Sequence, residues 1–547
     1  MTSRRIMAEL LRGIGVSPGS TAGPAYRMSP PPPPPEPTTV VDLDAEVDRA
    51  VTALETVAAD LSRRADGVAA GAAADVLRAQ AMTAQDPELS AAVVAQVRAG
   101  TSAPVAVDRA LAVHRQAFQA AGGYLAERVT DLDDIRDRAV AACLGLPPPG
   151  VPDPGHPFVL IARDLAPADT AGLDPEQVLA LVTEEGGPTS HTAILARAAG
   201  LPAVVRCPGA TTIVDGLEVT VDGSTGQVAV GVDHDTVTAT RVAEQRRRRR
   251  LATARGPGRT ADGHPVALYG NIGSADDVDG ELEGVGLFRT ELLYLHRSDP
   301  PGRDEQIAAY AEVFTALPGR RVIVRTLDAG ADKPLPFLAA GEEPNPALGV
   351  RGLRLARRRA DVLHTQLEAI AQAARDTAAE VWVMAPMVAT VAEAAWFADA
   401  CRDVGLPTAG AMVEVPAAAL RAQALLSAVD FLSIGTNDLS QYTFAADRQC
   451  GDLADLLDPA QPALLELIAG CAAAGRDAGK PVGVCGEAAA DPRLAPVLVG
   501  LGVTSLSMVP RAVPEVREAL AAHTLADCRR LATEALSAGD TTQLTVT

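Results

Sequence analysis

The sequence predicts a multidomain protein: an all-helical domain, an α/β module, and a TIM (β/α)8 barrel. Three observations carry this. At 547 residues the chain is too long for one domain; at about 150 residues per domain, three or four are expected. An Ala-rich stretch of helical periodicity occupies the first part of the chain. Eight short apolar runs separated by helical segments occupy the second half, as parallel barrels require.

Taken in order, Gly13 to Gly19 reads as a strand entering a turn, and Gly23 to Tyr26 resumes extended structure. Pro30 to Pro35 is an unbroken proline run, expected as a polyproline II spacer. From Asp42 to Gly145 the pattern is helical, with Ala45 to Ala58, Ala72 to Ala84, Pro104 to Ala121 and Tyr124 to Cys143. Asp86-Pro87 ends one helix and starts the next, for a bundle of about four. Pro147 to Gly150 closes it. Strands follow at Phe158 to Ile161, Val178 to Val182, Ala203 to Cys207, Leu217 to Val221 and Gln227 to Val230. Asp235 to Arg255 is a charged helix carrying Arg246 to Arg250, expected as a solvated connector. The eight barrel strands are Val266 to Asn271, Val285 to Arg289, Val322 to Leu327, Val381 to Met387, Gly410 to Val415, Phe431 to Gly435, Val482 to Gly486 and Ser505 to Val509.

Composition narrows the function. The net charge of −21 argues against a nucleic-acid binder, which needs a basic face. Seven cysteines without a CxxC pair fit a reducing, cytoplasmic setting better than a disulfide framework. Met1 to Leu11 lacks the apolar core of a signal peptide, and no uncharged run is long enough to insert into a membrane.

The most informative string is Gly186-Gly-Pro-Thr-Ser-His191-Thr-Ala-Ile-Leu-Ala-Arg197. Thr189 or Ser190 can cap the helix that follows, placing His191 in its first turn. Free N–H groups and the positive end of the helix dipole then favour an anion beside the ring. A histidine so placed can accept a phosphoryl group on its ring, although an isolated histidine at a helix start is ordinarily decoration; the whole string argues against that. In the barrel, chemically useful residues cluster at strand ends, where barrel active sites lie: Arg289 and Glu291, Arg325 and Asp328, Glu414, Asn437 and Asp438, Cys485 and Glu487. Arg289 and Arg325 offer forked donors for phosphate and carboxylate oxygens. Arg351 and Arg448 add positive charge, and Asn437 can hold an oxygen. Glu414 and Asp438 are the oxygen donors that Mg²⁺ takes together with substrate oxygens. Cys485 beside arginines can donate a proton, with a pKa tunable toward neutrality.

The His191 string resembles the phosphohistidine segment shared by Enzyme I of the sugar phosphotransferase system, pyruvate phosphate dikinase and phosphoenolpyruvate synthase. The second half resembles the phosphoenolpyruvate-binding barrel of Enzyme I, through Glu283 to Glu291, Arg325 to Lys333, Asn345 to Arg354, Glu414 to Ala419, Phe431 to Arg448 and Val484 to Glu487. The resemblance implies an α/β phosphohistidine swivelling domain with an inserted all-helical domain, followed by the barrel. The implied boundaries are 1–30 for N-terminal strands of the phosphohistidine domain, 38–145 for the helical domain that docks the phosphocarrier protein HPr, 146–233 for the rest of the phosphohistidine domain, 234–258 for a linker helix, and 259–547 for the barrel, through which the protein forms a homodimer. It further implies that His191 accepts the phosphoryl group and Cys485 protonates the enol carbon. Arg289, Arg325, Asn437, Asp438 and Arg448 would hold phosphoenolpyruvate, with Arg351 in support and Mg²⁺ on Glu414 and Asp438. Pro188 departs from the family pattern, the proline run is unusual, and the helical domain is the least similar part. A dikinase or synthase would need an ATP-binding domain, yet only about 150 helical, Ala-rich residues precede the α/β module, without a glycine-rich phosphate loop. A sensor that binds phosphoenolpyruvate without turnover would be expected to lack the histidine, cysteine or carboxylates.

Overall fold

The computed structural model describes residues 9–67, 72–121, 129–165, 173–174, 176–187, 190–278, 282–295, 297, 299–330, 335, 337–338, 343–448, 450, 453 and 456–539. The chain divides into two compact units, Met1–Arg246 and Arg247–Thr547.

The first unit is built on an eight-stranded sheet. Its strands are β1 (Glu9–Arg12), β2 (Ile14–Ser17), β3 (Ser20–Arg27), β4 (Phe158–Ala162), β5 (Val178–Thr183), β6 (Ala203–Val205), β7 (Glu218–Asp222) and β8 (Gln227–Val230), in the order β1-β8-β7-β3-β4-β5-β6-β2. The three N-terminal strands thus share one sheet with strands from beyond residue 157, as the resemblance implied. Strands β3 to β6 run parallel. β4 is buried along its whole length, because both faces are covered. Val159 and Ile161 pack with Ala180, Val182 and Val219 on one side. Phe158, Leu160 and Ala162 pack with Leu181, Ala193 and Ala196 on the other. That is why the run reads as continuously apolar instead of alternating.

Between β3 and β4 the chain forms helices Leu43–Gly67, Ala72–Ala84, Pro87–Arg98, Ala103–Ala121 and Val129–Leu144. Five helices are described where about four were expected. Pro87 starts one of them, as the Asp86-Pro87 break predicted: proline fits the first helical position, and the Asp86 carboxylate accepts from Glu88 N at 2.8 Å. Tyr124 to Arg128, expected in the last helix, lie outside the described residues. Leu54, Leu61, Leu89, Val93, Val97, Leu111 and Ile135 form this bundle's own core. The neck of the insertion carries a two-residue bridge, Ser29 to Gly150. Pro30 to Pro35 is irregular and largely exposed.

The second unit is a closed barrel of parallel strands: β9 (Ala267–Ile272), β10 (Gly284–Arg289), β11 (Arg321–Arg325), β12 (Glu380–Ala385), β13 (Ala409–Val413), β14 (Phe431–Ile434), β15 (Val482–Val484) and β16 (Ser505–Met508). All eight fall where the apolar runs predicted. Ring closure pairs β16 with β9, Ser505 opposite Ala267. Residues pointing outward from the strands pack under the helices in the largest core. Residues pointing inward, among them Leu287, Ile323, Met384, Met412, Phe431 and Cys485, fill the barrel centre. The arginine run belongs to helix His234–Thr253. Arg247 pairs with Glu515, and Arg250 Nε reaches Glu518 at 2.7 Å. Among the described residues, no helix is long and apolar enough to cross a membrane.

Candidate active site

The string around His191 forms a short helix, His191–Ala199, as its residues require. Ser190 is the cap, with φ −62° and ψ 159°, and its Oγ accepts from Ala193 N at 3.3 Å. Gly200 ends the helix at φ 67°, where a left-handed turn favours glycine. His191 is therefore the first helical residue. Its side chain, and the residues Pro188 and Thr189, lie outside what is described. Upstream, Gly186 has φ +90°, and a Cβ there would stand 3.2 Å from Ser190 Oγ. Both constraints favour glycine next to the cap. Thr192 is buried and its hydroxyl approaches Asp164 Oδ1 at 3.4 Å, which ties the helix start to the end of β4.

At the C-terminal mouth of the barrel, Arg289, Arg325, Arg351, Glu414, Asp438 and Cys485 come together. Arg289 and Arg325 are the last paired residues of β10 and β11 and stand opposite one another. Arg289 keeps an exposed face. Desolvation by the protein around it, then the like charge of Arg325, pulls its pKa down. Arg325 is buried, with Nη2 3.0 Å from Glu291 Oε1 and Nη1 3.7 Å from Asp328 Oδ2. Burial works against its charge, but Glu291, Asp328 and Glu414 outweigh burial and raise its pKa. Its Nε is buried without a hydrogen-bond partner.

Opposite these stands a set of carboxylates. Glu414, just past β13, is buried and accepts from Met387 N at 2.6 Å. Met387 holds φ 54°, an unusual conformation for a residue with a side chain, and this aims its N–H at the carboxylate. Burial, then the charges of Asp328 and Asp438, pushes the Glu414 pKa up to about 7. Asp438 sits in the first turn of helix Thr436–Phe444. Its Oδ2 lies 3.3 Å from Arg351 Nη2, while its Oδ1 is buried and makes no hydrogen bond. Arg351, 1% exposed, bridges Asp438 and Asp328, the latter at 3.0 Å. It was expected to add charge for a ligand; instead it neutralises two buried carboxylates, which would otherwise be costly to bury.

Asn437 Oδ1 accepts from Glu487 N at 2.9 Å, so its amide nitrogen is the end left for a ligand oxygen. Arg448 is half-buried, its backbone N bonded to Gln441 Oε1 at 3.1 Å. Gly486 lets the chain after β15 touch the start of helix Thr436–Phe444: a Cβ there would overlap Thr436 Oγ1 at 1.8 Å. Cys485 is 4% exposed, with Sγ 3.5 Å from Ile434 O. The expectation of a pKa drawn toward neutrality is corrected. Burial pushes the thiol up to about 11, more than Ser433, Arg325 and Arg289 lower it. The group is a protonated thiol at neutral pH.

Asp328 and Glu291 were visible at strand ends but given no role; in the structure they orient Arg325 and Arg351. Gln366 and Met387 had no signal in the sequence, one being a polar residue on an apolar helix face and the other a backbone donor. Lys333 lies outside the described residues. Among the described residues, no three His, Cys, Asp or Glu side chains form a ready metal cluster.

Residues 247–525 match the family "PEP-utilising enzyme, PEP-binding domain". Residues 154–226 match "PEP-utilising enzyme, mobile domain", and residues 12–128 match "PEP-utilising enzyme, N-terminal". A phosphoenolpyruvate-protein phosphotransferase of Streptomyces coelicolor is 55% identical over 540 residues, covering 97% of each chain. One from Bacillus subtilis is 37% identical, over 91% of this chain and 92% of its own. A multiphosphoryl transfer protein of Xanthomonas campestris is 43% identical over 75% of this chain and 51% of its own length.

Proposed function

The chain belongs to the phosphoenolpyruvate–protein phosphotransferase family, that of Enzyme I, and on that premise we propose that His191 takes the phosphoryl group from phosphoenolpyruvate and passes it to the histidine of HPr. It is an enzyme of the sugar phosphotransferase system, acting at the first step. The observation that carries the assignment of roles is the convergence of Arg289, Arg325, Glu414, Asp438 and Cys485 on one barrel mouth, with His191 at a capped helix start elsewhere in the chain.

In this reading Arg289, Arg325, Arg448 and the Asn437 amide hold the carboxylate and phosphate oxygens of phosphoenolpyruvate. Glu414 and the unpartnered Asp438 Oδ1 fit a Mg²⁺ ion, a hard cation that takes one or two carboxylates plus phosphate oxygens. When bound, the ion supplies charge neutralisation at the phosphoryl group. His191 Nε2 forms the new N–P bond as the bond from phosphorus to the enol oxygen breaks. The guanidinium groups stabilise the equatorial oxygens while this happens. The Cys485 thiol gives its proton to the methylene carbon of the enolate, yielding pyruvate, and the thiolate recovers a proton from solvent. The thiol's raised pKa suits an acid, since it arrives protonated.

The phosphohistidine domain, residues 1–30 and 146–233, would then swivel to HPr bound on the helical domain, residues 38–145. The segments 145–154 and 236–255 are the hinge candidates, and Gly145 and Gly150 in the first hold φ 68° and 95°. The linker helix 234–258, a barrel domain 259–547 that also dimerises, and a cytoplasmic location complete the reading.

The test is incubation with ³²P-labelled phosphoenolpyruvate and Mg²⁺, with and without HPr. Acid-labile label that moves to HPr is expected, and His191→Ala is expected to take up none. A His191→Ala protein labelled like the parent would remove His191 from the scheme.

A further inference from the structure

Behind the strand ends that carry Arg289 and Arg325 lies a buried polar cluster that the chemistry above does not use. Gln366 projects from helix Ala360–Arg375, whose buried face is otherwise apolar: Leu363, Leu367, Ile370 and several alanines. Gln366 is 1% exposed. Its Oε1 accepts from Leu327 N at 3.0 Å. Its Nε2 donates to Thr290 Oγ1 at 3.1 Å and to Tyr310 Oη at 3.0 Å. Thr290 Oγ1 in turn donates to Arg325 O at 3.0 Å. Tyr294 and Tyr310 hydroxyls close the cluster on Gln306 Oε1, at 3.0 and 3.4 Å.

The position of these bonds matters more than their number. The last rung between β10 and β11 joins Arg289 and Arg325, and the last between β11 and β12 joins Arg325 and Met384. Past those rungs only isolated bonds remain, Thr326 N to Met384 O at 3.0 Å and Asp328 N to Glu291 Oε1 at 2.9 Å. Thr290 directly follows Arg289, and Leu327 lies two residues past Arg325. A single buried amide therefore bonds to both strand extensions, one residue from Arg289 and Glu291 on one strand, and one from Asp328 and two from Arg325 on the other. An apolar side chain could fill the same space but could not satisfy Leu327 N, and an unmet buried donor is costly.

We infer that Gln366 is a positioning residue for the phosphoenolpyruvate-binding arginines: it clamps the ends of β10 and β11 so that the Arg289 and Arg325 guanidinium groups are held at a fixed separation. This rests on the assignment of Arg325 as a substrate contact. Two rigid forks recognise a small dianion well only when their spacing is set beforehand, since misplacement by about 1 Å can cost about a hundredfold in rate.

The experiment uses the full-length protein with Mg²⁺ and HPr, and measures KM for phosphoenolpyruvate, kcat and melting temperature. Gln366→Met keeps the length and volume and removes all three hydrogen bonds. It is expected to raise KM about tenfold, with kcat changed much less. Thr290→Val, which removes only the hydroxyl, is expected to raise KM by a smaller factor. The double variant should fall short of the product of the two, because both break one chain of bonds. A Gln366→Met protein that melts lower but keeps the parental KM has lost only stability, and that result overturns the inference. If Gln366→Met does not fold, Thr290→Val decides, and an unchanged KM there overturns it equally. An Arg325→Lys protein with parental KM would locate the failure in the substrate assignment itself and take the inference down with it.

Discussion

At the scale of single residues, two side chains in the barrel mouth carry opposite consequences of burial. Cys485 is held as a thiol, its pKa near 11. Cys485→Ala should still transfer the phosphoryl group to His191 but release pyruvate about a hundredfold or more slowly, the usual loss on removing a general acid; pyruvate formation coupled to lactate dehydrogenase measures this. Glu414 is a carboxylate whose folded pKa, about 7, lies above its ordinary 4.5. Between those values the folded protein binds more protons than the unfolded chain. Stability contributed at this site is therefore present at low pH, falls as pH rises through that window, and stays lost above it. In metal-free protein, Glu414→Gln should raise the melting temperature at pH 8, by a stabilisation on the order of 1–3 kcal/mol, and have little effect at pH 4. Thermal melts at the two pH values check it. The side-chain types at these positions were readable from the sequence, because arginine, carboxylate and thiol at strand ends have few structural reasons to gather. Their charge states were not readable. The Cys485 pKa depends on burial among Leu287, Met384 and Met412, and the Arg351 charge is taken up by Asp328 and Asp438. Both facts need neighbours distant in sequence.

At the scale of elements, local patterns were the best guide. The eight barrel strands were found because short apolar runs bounded by turn residues carry little else. The helix opened by Pro87 was visible from its break, while the bundle as a whole was undercounted, since an Ala-rich sequence lets adjacent helices blur. Ser190 offers a direct check. It satisfies one orphan N–H at the start of the helix that His191 opens, so Ser190→Ala should cost about 1 kcal/mol of local stability. Faster amide hydrogen exchange at Ala193 is the expected sign. The cap and the glycine at 186 were legible because both are written within twelve residues. Gln366 was not, because its partners Leu327 and Thr290 come from two other elements.

At the scale of the whole molecule, each compact unit has its own cores, and such units unfold as separate cooperative blocks. Calorimetry should resolve two transitions. Phosphoenolpyruvate with Mg²⁺ should raise the barrel transition and leave the other in place, because a ligand stabilises only the unit whose native state binds it. A single transition that shifts as one would contradict this. The order of the large sheet, β1-β8-β7-β3-β4-β5-β6-β2, illustrates what sequence alone withheld: strands at residues 9–27 join strands near residue 160 across an insertion of helices, and only family resemblance anticipated the join.

That insertion leaves and re-enters the sheet domain past a neck marked by the Ser29–Gly150 bridge, and it folds around a core of its own. For natural variation this works as a firewall. Substitutions among Leu54, Val93 or Ile135 should be absorbed within the bundle and leave the register of β3 and β4 untouched. On the proposed function, the helical segment would be free to drift toward the surface of the carrier, while the strands around the His191 helix would stay bound to one chemistry. A chimera that exchanges residues 30–149 for the corresponding bundle of a relative should keep autophosphorylation and change only which carrier it serves.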